Sequence, residues 1–295
     1  MSKKLQSEGY EVLSPSREEL DLLNREQTFD ILGKIKPDLV IDAAAKVGGI
    51  GVNNSDPLSF LSENLRIQTN LMDASVNFKI KKFVFLGSSC IYPRLAKQPI
   101  REEYLMTGQL ESTNSAYAVA KIAGIEACNS ARRQLNLNWF SMMPTNVYGP
   151  RDNFNLSNSH VIPGMIRKFM DAIENNLSTV ELWGNGEPLR EFIFVEDLCE
   201  AVLFAISVSH EHDILNVGTG YEISIKELAM LISKETGFNG EIKWNTEKPN
   251  GTPRKLLDSS RIRELGWSPK INLELGIRTT IEWFRENQQN GLVRK

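Results

Sequence analysis

The chain has 295 residues, 41% of them apolar and 24% charged, and a formal net charge of −3. That length supplies ample core for one large domain or two modest ones, and the interspersed charge excludes a nucleic-acid or membrane-surface role. Three scattered cysteines, Cys90, Cys128 and Cys199, suit neither a disulfide framework nor a zinc site. No apolar run reaches bilayer length and the polar 1–9 segment is no signal peptide, so a cytoplasmic, metal-free protein is expected.

The first residues read as the tail of a helix that stops at Gly9, followed by a strand over 10–14. A helix is predicted over 25–34 and a buried strand over 37–44. The spacing of Leu58, Leu61, Leu65 and Leu71 predicts a helix over Pro57–Asn77. A strand follows over 82–88, a long helix over Ser115–Leu135 and a strand over 139–144. Strands alternating with helices imply parallel βαβ units with right-handed crossovers. After Pro150 the texture changes, with more Asn, Gly and Pro, a helix over Val161–Glu174 and a short strand over 179–182. Strands are predicted over 191–195 and Ile214–Val217, with a helix over 196–207 between them. Ser224 and Glu227 form a capping box that opens a helix to Thr236, and a strand over 241–244 and two helices complete the chain. The expected fold is α/β: a Rossmann-like doubly wound parallel sheet over 1–150, with return segments near 191–217. A smaller mixed α/β domain takes 151–190 and 218–295. Ligands of such folds sit at the carboxyl ends of the strands.

One such end carries a distinctive set of side chains. Phe83-Val84-Phe85-Leu86 runs into Gly87-Ser88-Ser89-Cys90, and Tyr117 and Lys121 follow on the next helix, four residues apart and therefore on one face. A hydroxyl facing a Tyr/Lys pair suits proton handling beside a carbonyl. A phenol with a pKa near ~10 is a poor relay at neutral pH, and an adjacent ammonium would pull it down. Tyr-x-x-x-Lys alone is weak and has an ordinary helix face as its plain alternative. Its context is stronger: Ala43-Ala44-Ala45-Lys46-Val47-Gly48-Gly49-Ile50, the 87–99 block, Pro144-Thr145-Asn146-Val147-Tyr148-Gly149-Pro150 and Asn158-Ser159-His160-Val161-Ile162-Pro163. Trp183-Gly184-Asn185-Gly186, Arg190-Glu191-Phe192 and Gly251-Thr252-Pro253-Arg254-Lys255-Leu256-Leu257-Asp258 extend it.

With these blocks the chain resembles the extended short-chain dehydrogenase/reductases that act on nucleotide sugars, and among them the GDP-L-fucose synthase family. The resemblance implies an enzyme that converts GDP-4-keto-6-deoxy-D-mannose to GDP-L-fucose by 3,5-epimerisation and then NADPH-dependent 4-keto reduction. It implies Ser88, Tyr117 and Lys121 for the reduction, with Lys121 also bonding the nicotinamide ribose. It implies Cys90 as the epimerisation base and His160 as the acid, where packing and helix capping are the plain alternatives. NADP(H) would be held by Arg17, Leu86, Gly87, Ser88, Ser89, Lys121, Pro144, Thr145, Asn146, Val147 and His160. Arg17 is the residue that favours NADP over NAD. The GDP-sugar would meet Lys168, Trp183, Arg190 and Asp258, with Arg190 weighted highest because its fork bonds two phosphate oxygens. Family members pair as homodimers through helices equivalent to Pro57–Asn77 and Ser115–Leu135. Another nucleotide-sugar epimerase, dehydratase or reductase of the superfamily stays open as an alternative, as does a nucleotide-binding protein with impaired catalysis.

The chain departs from this pattern at its start. A dinucleotide-binding half opens with a strand, a glycine-rich turn and a helix whose N-terminus holds the pyrophosphate. Here 1–9 corresponds to the end of that helix, and the glycine-rich 47–51 stretch follows a different strand and cannot replace the turn. The expectation is a start that lies inside a longer chain; a naturally shortened chain would bind NADP weakly and be poorly stable. The absent strand would be central, leaving its neighbours without ladder partners.

Overall fold

The computed structural model describes residues 1–248, 250–288 and 290–293. Helix α1 (Ser2–Ser7) is closed by Glu8 and followed by Gly9, whose φ of +87° turns the chain. Helix α2 (Arg25–Ile35) is capped by Asn24, which accepts from the Gln27 amide at 3.1 Å. Strand β1 (Leu39–Asp42), the short helix α3 (Ile50–Ser55) and helix α4 (Pro57–Asn77) follow, the last with proline at its first position, where no amide donor is needed. Strand β2 (Lys82–Leu86), helix α5 (Ser115–Leu135), strand β3 (Asn138–Pro144) and strand β4 (Asn146–Tyr148) complete the first half. The second half holds α6 (Val161–Glu174), β5 (Thr179–Trp183), β6 (Leu189–Phe194), α7 (Val195–Ser207), β7 (Ile214–Val217), β8 (Glu222–Ser224) and α8 (Ile225–Thr236). Strands β9 (Glu241–Asn245) and β10 (Arg254–Lys255) and helices α9 (Ser260–Glu264) and α10 (Leu273–Asn287) finish it.

The main sheet is wholly parallel in the order β1-β2-β3-β7. Side chains of β2 alternate between its faces. Phe83 and Phe85 pack with Leu71, Ile125 and Trp139 beneath α4 and α5, while Val84 joins Phe140, Met142 and Val202 on the α7 side. Both faces are covered, which is why the strand reads as one continuous apolar run. Gly124 lets α5 lie against β2, because a Cβ there would collide with the Phe85 ring. A second sheet, β10-β6-β4 with β8 antiparallel to β6, and the parallel pair β5-β9 share a separate core with α6, α8 and α10.

Residues 10–14 form no strand, contrary to the reading from their composition. A strand exists only through its ladder, and nothing among the described residues pairs with this segment. By the same reasoning β1 lies at the edge of the sheet. No helix among the described residues is long and apolar enough to cross a membrane.

Candidate active site

Ser88 lies just past the carboxyl end of β2, and its hydroxyl caps a single 3-10 turn, Ser89–Ile91, by accepting from the Cys90 amide at 3.2 Å. The cap fixes the chain direction between Ser88 and Cys90. Tyr117, on the first turn of α5, brings its hydroxyl close to that of Ser88. Burial pushes this phenol well above its ordinary range; the Cys90 charge adds to the effect and the Ser88 hydroxyl opposes it. One turn on, Lys121 is buried, donates to the Leu86 carbonyl at 2.8 Å and lies 4.6 Å from the centre of the Phe85 ring. Burial lowers the ammonium's pKa, and Asp42 partly restores it. The expected depression of Tyr117 by Lys121 is therefore absent from this geometry. Desolvation dominates, and the lysine is turned toward β1 and β2. A phenol held neutral is the form that donates a proton.

Cys90 is half-buried, whereas Cys128 and Cys199 are buried in α5 and α7 as their helical context implied. Lys255 on β10 brings its Nζ to 3.7 Å from Cys90 Sγ. Arg190, in register with Lys255 on the adjacent β6, also feels the Cys90 charge. His160 precedes α6 and is exposed, and its side chain makes no cap, which removes the plain capping role. The Gly49 amide donates to the Asn158 carbonyl at 3.1 Å, so the glycine-rich loop lies against the His160 segment instead of serving as a phosphate turn.

The four proposed sugar-nucleotide residues differ in setting. Arg190 is half-buried among the site residues just described. Lys168 is half-buried and donates to the Glu181 carbonyl at 2.8 Å, so it is not a solvated helix charge. Trp183 is 51% exposed, with Lys248 Nζ 5.6 Å from its ring centre, and is not a core residue. Asp258 accepts from the Ser260 amide at 2.9 Å and pairs with Arg101 at 3.4 Å, so its carboxylate is already engaged. Arg17 is 76% exposed and lies 4.0 Å from Asp21.

Two acidic residues escaped the reading of the sequence. Glu191 is buried and accepts from the Gly220 amide at 2.6 Å and the Leu257 amide at 3.0 Å, tying β6 to the loops beside it. Asp42, at the end of β1, is buried with Oδ1 bonded to the Ala44 amide at 3.1 Å and Oδ2 without a partner among the described residues. Burial raises its pKa from 3.8 to about 6 against the pull of Lys121. The folded chain therefore binds an extra proton between those values, and stability falls as pH rises through that window. At neutral pH the buried carboxylate costs roughly 3 kcal/mol. Urea unfolding should show Asp42→Asn more stable than wild type at neutral pH, with the difference vanishing near about pH 4. A difference independent of pH contradicts this account.

Comparison with known proteins decides the family. Residues 1–218 match the NAD dependent epimerase/dehydratase family. The chain is 48% identical to a GDP-L-fucose synthase of Sinorhizobium fredii, over 97% of this chain and 91% of that protein. It is 45% identical to the GDP-L-fucose synthase of Escherichia coli K12, over 97% of this chain and 92% of that protein. The chain belongs to the GDP-L-fucose synthases of the NAD dependent epimerase/dehydratase family. A solved structure of a GDP-L-fucose synthetase from Naegleria fowleri bound to NADP superposes with a TM-score of 0.90 at 27% identity, covering 100% of this chain and 90% of that one.

The fit of such a dinucleotide to this family member differs between its two ends. At the nicotinamide-ribose end the donor set is suitable. Lys121 uses one of its three donors on Leu86, and Tyr117 and Ser88 stand at the same strand end. The 86–89 and 144–147 segments lie side by side there, with the Gly87 amide bonded to the Met142 carbonyl at 2.9 Å. The side chains of Thr145 and Asn146 are spent on the Glu191 carbonyl, at 3.1 and 2.8 Å. At the diphosphate end the described residues build no strand, glycine turn and helix N-terminus, and β1 presents an open edge.

Proposed function

We propose that this chain converts GDP-4-keto-6-deoxy-D-mannose to GDP-L-fucose by 3,5-epimerisation followed by reduction at C4. The observation that supports this reading best is the meeting of two proton-handling sets at one strand end: Ser88 close to Tyr117, and Cys90 beside them with two cations facing it. The C4 ketone acidifies the protons on C3 and C5. Cys90 removes a proton from one face and His160 delivers one to the other, each in turn. Ser88 then polarises the C4 carbonyl, and the neutral Tyr117 donates a proton to that oxygen. NADPH, when bound, supplies the hydride to C4. Lys121 bonds the nicotinamide ribose through its remaining donors, with the 86–89 and 144–147 segments and His160 alongside. Arg17 near the adenosine end would favour the 2′-phosphate.

On this reading Arg190 and Lys168 take the GDP diphosphate, Trp183 offers a stacking face and Asp258 a hydrogen-bond acceptor. Residues 1–150 with 191–217 form the NADP-binding part, and 151–190 with 218–295 the nucleotide-sugar part. Leu58 on α4 and Val119 on α5, 76% and 46% exposed, support pairing of two copies through those helices. Its compartment is the cytoplasm, where the thiol of Cys90 stays reduced.

The side chains of Thr145 and Asn146, both spent on the Glu191 carbonyl, favour a second reading, a nucleotide-binding protein with impaired turnover. Purified chain incubated with GDP-4-keto-6-deoxy-D-mannose and NADPH separates the two. Substrate-dependent loss of the nicotinamide absorbance is expected. Tight nucleotide binding with no oxidation would favour the second reading.

A further inference from the structure

We infer that Lys255 is the positioning residue that orients the Cys90 sulfur for the epimerisation; this rests on the reading of Cys90 as the base. The backbone of Lys255 is fixed on every side. β10 pairs with β6 in parallel, Arg254 opposite Leu189 and Lys255 opposite Arg190. The flanking chain is tied by the Leu189 amide to Pro253 (2.9 Å), the Ile100 amide to Leu256 (2.7 Å) and the Leu257 amide to Glu191 (3.0 Å). Residues opposite each other on paired strands project to the same face, so Lys255 and Arg190 lie together while Arg254 leaves on the other side. Arg254 finds its counter-ion there, bonding Glu222 with two nitrogens at 2.8 and 2.6 Å. Lys255 has no carboxylate within ion-pair range among the described residues. Its ammonium instead meets Cys90 Sγ at 3.7 Å.

The other charged and titratable groups around the thiol do not compensate this cation. Arg190 adds a second positive charge from β6. Glu111, whose charge reaches Arg190, is paired with Arg94 at 3.1 Å. Tyr92 turns its hydroxyl away to Asn216 at 2.6 Å, and Tyr117 is held neutral by burial. An ammonium hydrogen-bonded to the sulfur at 3.7 Å fixes where that sulfur sits and stabilises the negative charge it carries when it acts as a base. In the step itself the sulfur gains the C3 or C5 proton and the C–H electron pair moves into the enolate, its charge ending on the C4 oxygen. His160 then returns a proton to carbon on the opposite face. Lys255 loses no proton in this sequence and touches neither C3 nor C5; it acts through the sulfur.

The test compares wild type, Lys255→Met, Lys255→Arg and Cys90→Ser. Cys90 is the half-exposed thiol and the other two are buried, so iodoacetamide alkylation read by peptide mass spectrometry reports on it. Lys255→Met is expected to slow alkylation of Cys90 at neutral pH roughly tenfold. It should slow deuterium entry at C3 and C5 of the GDP-sugar by a similar factor with KM little changed, and Lys255→Arg should restore both. An unchanged alkylation rate overturns the inference, and so does a Lys255→Met defect confined to KM, which would make Lys255 a substrate-binding cation. Exchange that survives Cys90→Ser overturns the base reading, and this inference with it, even where alkylation still depends on Lys255.

Discussion

Tyr117→Phe is expected to abolish NADPH oxidation while C3 and C5 still exchange protons with solvent. The variant keeps the ring that the α5 packing requires, and loses only the hydroxyl that faces Ser88. Loss of a positioned general acid lowers a rate by about a hundred- to ten-thousand-fold. Burial holds the phenol neutral, so the wild-type residue is already in its donating form at neutral pH. The check is paired: spectrophotometric oxidation of NADPH, and incorporation of solvent deuterium into the sugar by NMR. Equal loss of both activities would mean that Tyr117 organises the whole site instead of completing the reduction.

Cys90→Ser should give the reverse pattern. A serine hydroxyl is a far weaker base than a thiolate, and Lys255 at 3.7 Å cannot ionise it to a useful degree at neutral pH. Exchange at C3 and C5 is expected to fall by about a hundredfold or more, while reduction of any sugar already epimerised continues. The measurement is deuterium incorporation without NADPH, followed by oxidation of NADPH with pre-epimerised sugar. If Cys90→Ser lost only reduction, the division of labour between Cys90 and Tyr117 would be wrong.

Much of this arrangement was visible in the residues because it is local. The 3.6-residue spacing of leucines marks α4, and the serine and glutamate three apart mark the start of α8, where the Glu227 amide bonds Ser224 Oγ at 3.1 Å. Ser88, Cys90, Tyr117 and Lys121 meet because a strand end and the first turns of the next helix must lie close in a βαβ unit. What was hidden depends on distant parts of the chain. Residues 10–14 have the composition of a strand but no ladder partner among the described residues, and pairing is a property of two segments. Asp42 read as an ordinary strand end, since nothing near it in sequence says that Lys121 lies opposite. The direction of the Tyr117 shift was misjudged because spacing shows that a lysine is near, not that it is turned to Leu86. Lys255 stands 165 residues from Cys90 and is brought there by the two residues of β10.

The most direct test of the account is one NMR spectrum of the product formed in heavy water from GDP-4-keto-6-deoxy-D-mannose and unlabelled NADPH. The account predicts GDP-L-fucose carrying deuterium at C3 and C5 and hydrogen at C4, because two carbons exchange with solvent and the third receives hydride. A reduced sugar with hydrogen at C3 and C5, or an unreduced sugar in the presence of bound NADPH, would contradict it.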